Sequence, residues 1–179
     1  MNEDYFLPDP VQFLYNHFSE TPENQLLARP VTYEEWKMMV PLKAGYFQYG
    51  VSAISEPKCV LTSNTGSKTL TFAMEKDAYL KFNYVLYKTK GQQTSSDDDT
   101  TKNNVMIENM GKIRKITLEF KYIGIYKLDI MVTDMKNDAT MRHFICDYVI
   151  KCTKPKFNLE ANPPMPDNLQ EFGPGAEWA

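Results

Sequence analysis

Beyond Gly45 the apolar residues fall at every second position, the period of a strand that buries one face. "YLKFNYVLYK" (79–88) puts Leu80, Phe82, Tyr84 and Leu86 on one side. "KIRKITLEFK" (112–121) does the same with Ile116, Leu118 and Phe120. "GIYKLDIMVTD" (124–134) aligns Tyr126, Leu128, Ile130 and Val132, and "HFICDYVIKC" (143–152) aligns Phe144, Cys146, Tyr148, Ile150 and Cys152. "YFQYGVSAI" (46–54), "KCVLT" (58–62), "KTLTFAM" (68–74) and the weaker "NVMIEN" (104–109) complete the set. Turn residues separate them at "NTGS", "EKDA" and "KNDA". Seven or eight strands in about 108 residues, with no helix between them, predict a mainly β chain closed into a two-layer sandwich. "GIYKL" has the form of a tyrosine corner, in which the Tyr126 hydroxyl bonds back to the main chain at the start of a late strand.

The first 44 residues read differently. In "YFLPDPVQFLYNHF" (5–18), Asp9 is an N-cap and Pro10 stands at N1, where a missing N–H costs nothing. Phe13, Leu14, His17 and Phe18 follow at helical spacing, and the helix should stop by Ser19–Pro22. In "RPVTYEEW" (29–36), Thr32 and Glu35 form a capping box and Val31 can staple against Trp36. That helix carries Trp36, Met39 and Val40 on one side and ends before Pro41. Two short helices thus precede the sandwich.

Composition narrows the function classes. Hydrophobic residues make up 42% of the chain, enough for a core, and the net charge of −3 comes without any basic run, against a nucleic-acid partner. No apolar run reaches the roughly 20 residues of a membrane span, and "MNEDYF" lacks a secretory h-region. Three cysteines leave at least one unpaired, and no N-x-S/T sequon occurs, which favours a reducing, cytoplasmic setting. "GQQTSSDDDTTKNN" (91–104) is a low-complexity loop in which Ser95 and Ser96 precede Asp97, Asp98 and Asp99, the context of an acid-directed kinase. From Pro155 onward prolines and glycines forbid regular structure, so 155–179 reads as a linker towards a further module.

A nucleophile needs a base within hydrogen-bond reach. Of the two histidines, His17 lies on the first helix, and His143 is three residues from Cys146, on the opposite face of a strand. Motifs for zinc, calcium or phosphate binding are missing from the sequence, so catalytic, metal and cofactor sites are all expected to be none. A sandwich disulfide would have to link Cys59 to Cys146 or Cys152, a pairing that does not match the usual strand-B to strand-F bridge, and free thiols are expected.

The opening motifs carry a resemblance. Tyr5, Phe6, Leu7, Asp9, Pro10, Phe13, Tyr15, His17 and Phe18 match a Y-F-L-T-D-P-E-x-F-I-Y-x-H-F-P type motif. Gln25, Leu26 and Leu27 match a W-Q-L-L type element, and Pro30, Thr32, Glu34, Glu35 and Trp36 a P-I-T-x-E-E-F type helix. This series resembles the segment that closes a transglutaminase-like domain in the kyphoscoliosis peptidase and hillarin family. "LKAGYFQYGV" and "NPPMPDNLQEFGPGAEW" continue the likeness in order. Pro8, Ser19-Glu20 and Asn24 depart from the family pattern. The resemblance implies that 1–44 is the end of that domain and a docking arm, 45–154 an immunoglobulin-like sandwich, and 155–179 a connector. The family's Cys-His-Asp constellation lies upstream of these motifs and maps onto no residue here.

The expected function is therefore a non-catalytic, immunoglobulin-like protein-interaction module of a cytoskeleton-associated transglutaminase-like protein. Its partners would be a cytoskeletal protein and the upstream domain, with no nucleic acid and no membrane. Two alternatives stand beside it: an annex orienting substrate for a Cys-His-Asp peptidase or transglutaminase-like centre upstream, and an extracellular adhesion sandwich. The aromatics Tyr5, Phe6, Phe13 and Phe18 are expected to be exposed in the arm.

Overall fold

A computed structural model of the chain describes residues 9–75, 79–90, 93–94 and 105–156. Most of the 91–104 loop, the residues after 156, Tyr5, Phe6 and the Ser95/Ser96 pair with its three aspartates lie outside the described residues.

Three short helices lead in: α1 (Pro10–Leu14), α2 (Tyr33–Met38) and α3 (Ala44–Gln48), with a 3-10 turn at Pro22–Gln25. Asp9 caps α1, accepting from the N–H of Val11 at 2.8 Å. Thr32 and Glu35 form the reciprocal box at α2. The first helix is shorter than its spacing predicts: it ends at Leu14, so His17 and Phe18 lie beyond it. Phe18 packs instead against Tyr33 and Trp36, at 5.4 Å from each, while Phe13 stays 42% exposed.

Among the described residues nine strands follow: β1 (Val51–Ile54), β2 (Val60–Ser63), β3 (Ser67–Met74), β4 (Leu80–Lys90), β5 (Gln93–Thr94), β6 (Val105–Met110), β7 (Ile113–Glu119), β8 (Gly124–Asp134) and β9 (Asp138–Cys152). They form a four-stranded sheet, β1-β3-β7-β6, and a five-stranded sheet, β2-β9-β8-β4-β5. All pairings are antiparallel except β2 with β9, which runs parallel from Val60↔Val149 to Ser63↔Cys152. The mainly β sandwich expected from the alternation is what forms.

The alternating residues meet between the sheets. Leu70 and Phe72 of one sheet face Phe82, Leu128, Ile130 and Tyr148 of the other, all 4% exposed or less. The rings of Phe72 and Phe82 lie 5.6 Å apart across the interface, and those of Phe120 and Tyr126 4.7 Å. Tyr126 makes the tyrosine corner: its hydroxyl donates to the carbonyl of Tyr122 at 2.9 Å.

Two expectations fail locally. Residues 46–54 do not form one strand. Ala44–Gln48 is helical, Gly50 turns the chain at φ +66, and only Val51–Ile54 is extended. Helical geometry lets Tyr46 and Phe47, adjacent in sequence, both pack against the core edge, which a strand would forbid. In β9, Phe144 does not share a face with Cys146. The register passes from Ile130↔Cys146 to Met131↔Phe144, a bulge that inserts Ile145. Ile145 is fully buried and Phe144 is turned out, 52% exposed.

Candidate interaction surface

Strand edges decide what a sandwich can bind, because they present unpaired N–H and C=O groups. The outer side of β9 is covered by β2 over Val149–Cys152 and by the arm at Ile145 and Cys146, and the arm also pairs with residues 57–59. Val40 N–H donates to the Pro57 carbonyl at 2.9 Å, Cys59 N–H to Met38 at 3.0 Å and Lys43 N–H to Ile145 at 2.7 Å. Antiparallel bridges join Met39 to Lys58 and Leu42 to Cys146. Farther along β9, α3 lies so close that a Cβ on Gly45 would come 2.5 Å from the Phe144 carbonyl oxygen.

The opposite side of this sheet is formed by β4 and β5. Strand β4 pairs with β8 from Leu80 to Lys88, while β5 reaches only Thr89 and Lys90. A groove of about 680 Å³ runs along this side. One wall is Leu80 to Tyr84, five consecutive residues. Since successive side chains point to opposite faces, a wall of consecutive residues is the strand's backbone edge. The other wall is Ile107 and Asn109, alternate positions of β6, the edge of the facing sheet. The groove therefore runs along the seam between β4 and β6 of the two sheets.

Its rim combines apolar and cationic groups. Tyr79 is 72% exposed and Met135 49%, and the exposed Lys81 and Arg142 stand beside them. The amide of Asn83 donates to the Thr133 hydroxyl at 2.9 Å, fixing the wall against β8. A smaller depression of about 490 Å³ shares Tyr79 and Leu80 and includes Asp134. The Asp134 carboxyl accepts from the Asn137 side chain and from the N–H groups of Asn137 and Lys136, which holds it below the usual carboxylate range. Met106 and Met110 flank Glu108 on the outer face of β6, both more than half exposed, and Glu108 pairs with Lys115 at 2.9 Å.

The potential nucleophiles lie elsewhere. Cys59, Cys146 and Cys152 are free and buried. Desolvation raises the thiol of Cys59 to about 11 and that of Cys146 well above the ordinary value, so neither ionises readily at neutral pH. His17 stacks on Phe13 at 4.5 Å and His143 leans on Tyr49 at 5.0 Å. Among the described residues, no three His, Cys, Asp or Glu side chains are grouped to hold a metal. None of the described helices is long and apolar enough to cross a membrane.

Alternation located the strands but not the groove, because it does not say which strands become edges. The five consecutive wall residues carry no sequence signature.

Residues 33–163 match the family described as "KY-like, immunoglobulin-like domain". The chain is similar to hillarin of Drosophila melanogaster, 28% identical over 189 residues, and to kyphoscoliosis peptidase of Mus musculus, 27% identical over 175 residues. In both alignments 97% of this chain is covered, against 22% and 23% of the relative, so the chain spans less than a quarter of either.

Proposed function

This chain belongs to the KY-like, immunoglobulin-like domain family, and on that premise we propose that it is a non-catalytic protein-interaction module whose partner docks in the groove between β4 and β6. The observation that carries this reading is the groove of about 680 Å³ between the sheets, walled by Leu80 to Tyr84 of β4 and by Ile107 and Asn109 of β6. An extended segment of another protein would lie along this groove. Its alternate side chains would enter the groove between Phe82 and Ile107, and Met135 would adapt to their shape. The partner is a protein of the cytoskeleton, and the module works in the cytoplasm within a transglutaminase-like protein. The arm, with exposed Val11, Phe13 and Leu26, docks the upstream domain.

A photocrosslinking residue at Lys81 should capture a protein from a cytoskeletal fraction, while the same probe at exposed Thr62, at the far edge of that sheet, should not. Asn83→Pro, which removes a backbone donor and bends the edge, should abolish the adduct. Equal capture from both positions, or capture that survives Asn83→Pro, rules out docking in this groove. A second reading is favoured by the name of one relative, a peptidase: the module would orient substrate for a catalytic centre upstream. Full-length protein carrying Asn83→Pro would then lose turnover as well as binding.

A further inference from the structure

Charge is spread unevenly around the groove. Among the described residues its lining carries two exposed cations, Lys81 and Arg142, and no carboxylate. Other basic side chains of the sandwich are matched: Lys68 by Glu56 at 2.6 Å, Lys115 by Glu108 at 2.9 Å and Lys156 by Glu119 at 2.6 Å. Among the described residues, neither Lys81 nor Arg142 meets a carboxylate in this way.

A third cation stands beside one wall. Arg114 of β7 is the register partner of Asn109, and directly opposed residues of an antiparallel pair share a face. Its side chain is therefore on the core side of the sheet together with that of Asn109. It is 5% exposed, and its guanidinium donates to the carbonyls of Gly111 and Ile113. The acids nearby are committed elsewhere. Asp134 and Glu75 line the neighbouring depression, where the Asp134 carboxyl is taken up by Asn137. A charge beside an apolar wall, partly out of water, acts more strongly than one on an open surface. The groove therefore favours an anionic occupant and disfavours a cationic one.

The strand period sets the pattern such an occupant needs. Lys81 and Phe82 are adjacent on β4 and point to opposite faces. Phe82 is 4% exposed and turned to the core, and Lys81 is turned to solvent. An extended segment lying along them meets apolar surface with one face and positive charge with the other.

We propose that the occupant of the groove is an extended protein segment in which apolar residues alternate with aspartate or glutamate. The apolar side chains enter between Phe82 and Ile107, and the carboxylates meet Lys81 and Arg142. This rests on the docking reading above and adds the chemistry of the partner.

Fluorescent synthetic peptides in which leucine alternates with glutamate, with glutamine or with lysine test it against the full chain. The glutamate peptide should bind about tenfold or more tighter than the glutamine one, and the lysine peptide weakest. The preference should shrink as salt rises from about 0.05 to 0.5 M. Combining Lys81→Glu with Arg142→Glu should reverse the order, so that the lysine peptide binds best, a gain that an unfolded variant could not give. A photocrosslinking residue at Asn109 locates the bound peptide. Glutamate and glutamine peptides that bind equally and both crosslink at Asn109 overturn the acidic partner and leave docking in the groove intact. Peptides that bind without an adduct at Asn109, or no binding at all, overturn both. A glutamate preference that survives the double charge reversal places the acid-binding site elsewhere and sinks the proposal. If sedimentation shows that the peptide binds by splitting a dimer, the groove belongs to a second copy of the chain and the proposal also fails.

Discussion

The indole N–H of Trp36 donates to the carbonyl of Leu14 at 2.7 Å, across 22 residues of sequence. This bond joins the end of α1 to α2 within the arm. Around it, Gln25 donates to the carbonyls of Ser19 and Val31 and accepts from the Val31 N–H, all within 2.9 Å. Trp36→Phe keeps the apolar ring and removes the donor, leaving a buried carbonyl without its partner. It should cost about 1–2 kcal/mol in urea unfolding. An unchanged midpoint would mean the arm contributes nothing to stability.

The tyrosine corner offers a test confined to the sandwich. Tyr126 is 3% exposed and bonded to the Tyr122 carbonyl. Tyr126→Phe should destabilise by about 1–1.5 kcal/mol, read as a shift in thermal midpoint, with the fold retained by circular dichroism.

Close backbone approach makes Gly66 irreplaceable. It lies at φ +76, and a Cβ there would stand 2.0 Å from the Lys156 main-chain nitrogen. Gly66→Ala should cost about 2 kcal/mol or more by chemical denaturation, because the segment after β9 must move off Phe120, whose carbonyl accepts from the Lys156 N–H.

Leu26 shows the reverse case. It holds φ 54 in the left-handed region with its side chain 75% exposed. Leu26→Gly relieves that strain and uncovers no core, so the isolated module should gain about 1 kcal/mol. A loss instead would show that the leucine side chain is packed in solution.

Asp147 supplies the pH dependence. It is 7% exposed and faces Asp129 across the β8–β9 pair. Burial raises its pKa, and Lys43, 3.5 Å away, only partly opposes this. The folded state therefore binds more protons than the unfolded one above the ordinary value of about 4. Stability contributed by this group is full below that pH and is lost as pH rises through the raised pKa. Asp147→Asn should flatten the stability curve just above pH 4 and leave the protein no less stable at pH 7. Denaturant midpoints across a pH series measure it. A variant that tracks the parent curve would remove Asp147 as the cause.

Local chemistry was enough to read much of this molecule. Alternation located β3, β4, β7 and β8 within a residue or two, because one buried face imposes period two on any strand. The Asp9 cap and the Thr32–Glu35 box were legible because both act within four residues. Tertiary packing decided the rest. Tyr46 and Phe47 form a helix because both reach the core edge that way, and Phe144 turns outward because a bulge at Ile145 resets the register against β8. The parallel union of β2 with β9, the arm laid over Cys59 and the groove between β4 and β6 depend on which strands become neighbours. That choice is made by contacts among residues distant in sequence, and no local pattern in the chain records it.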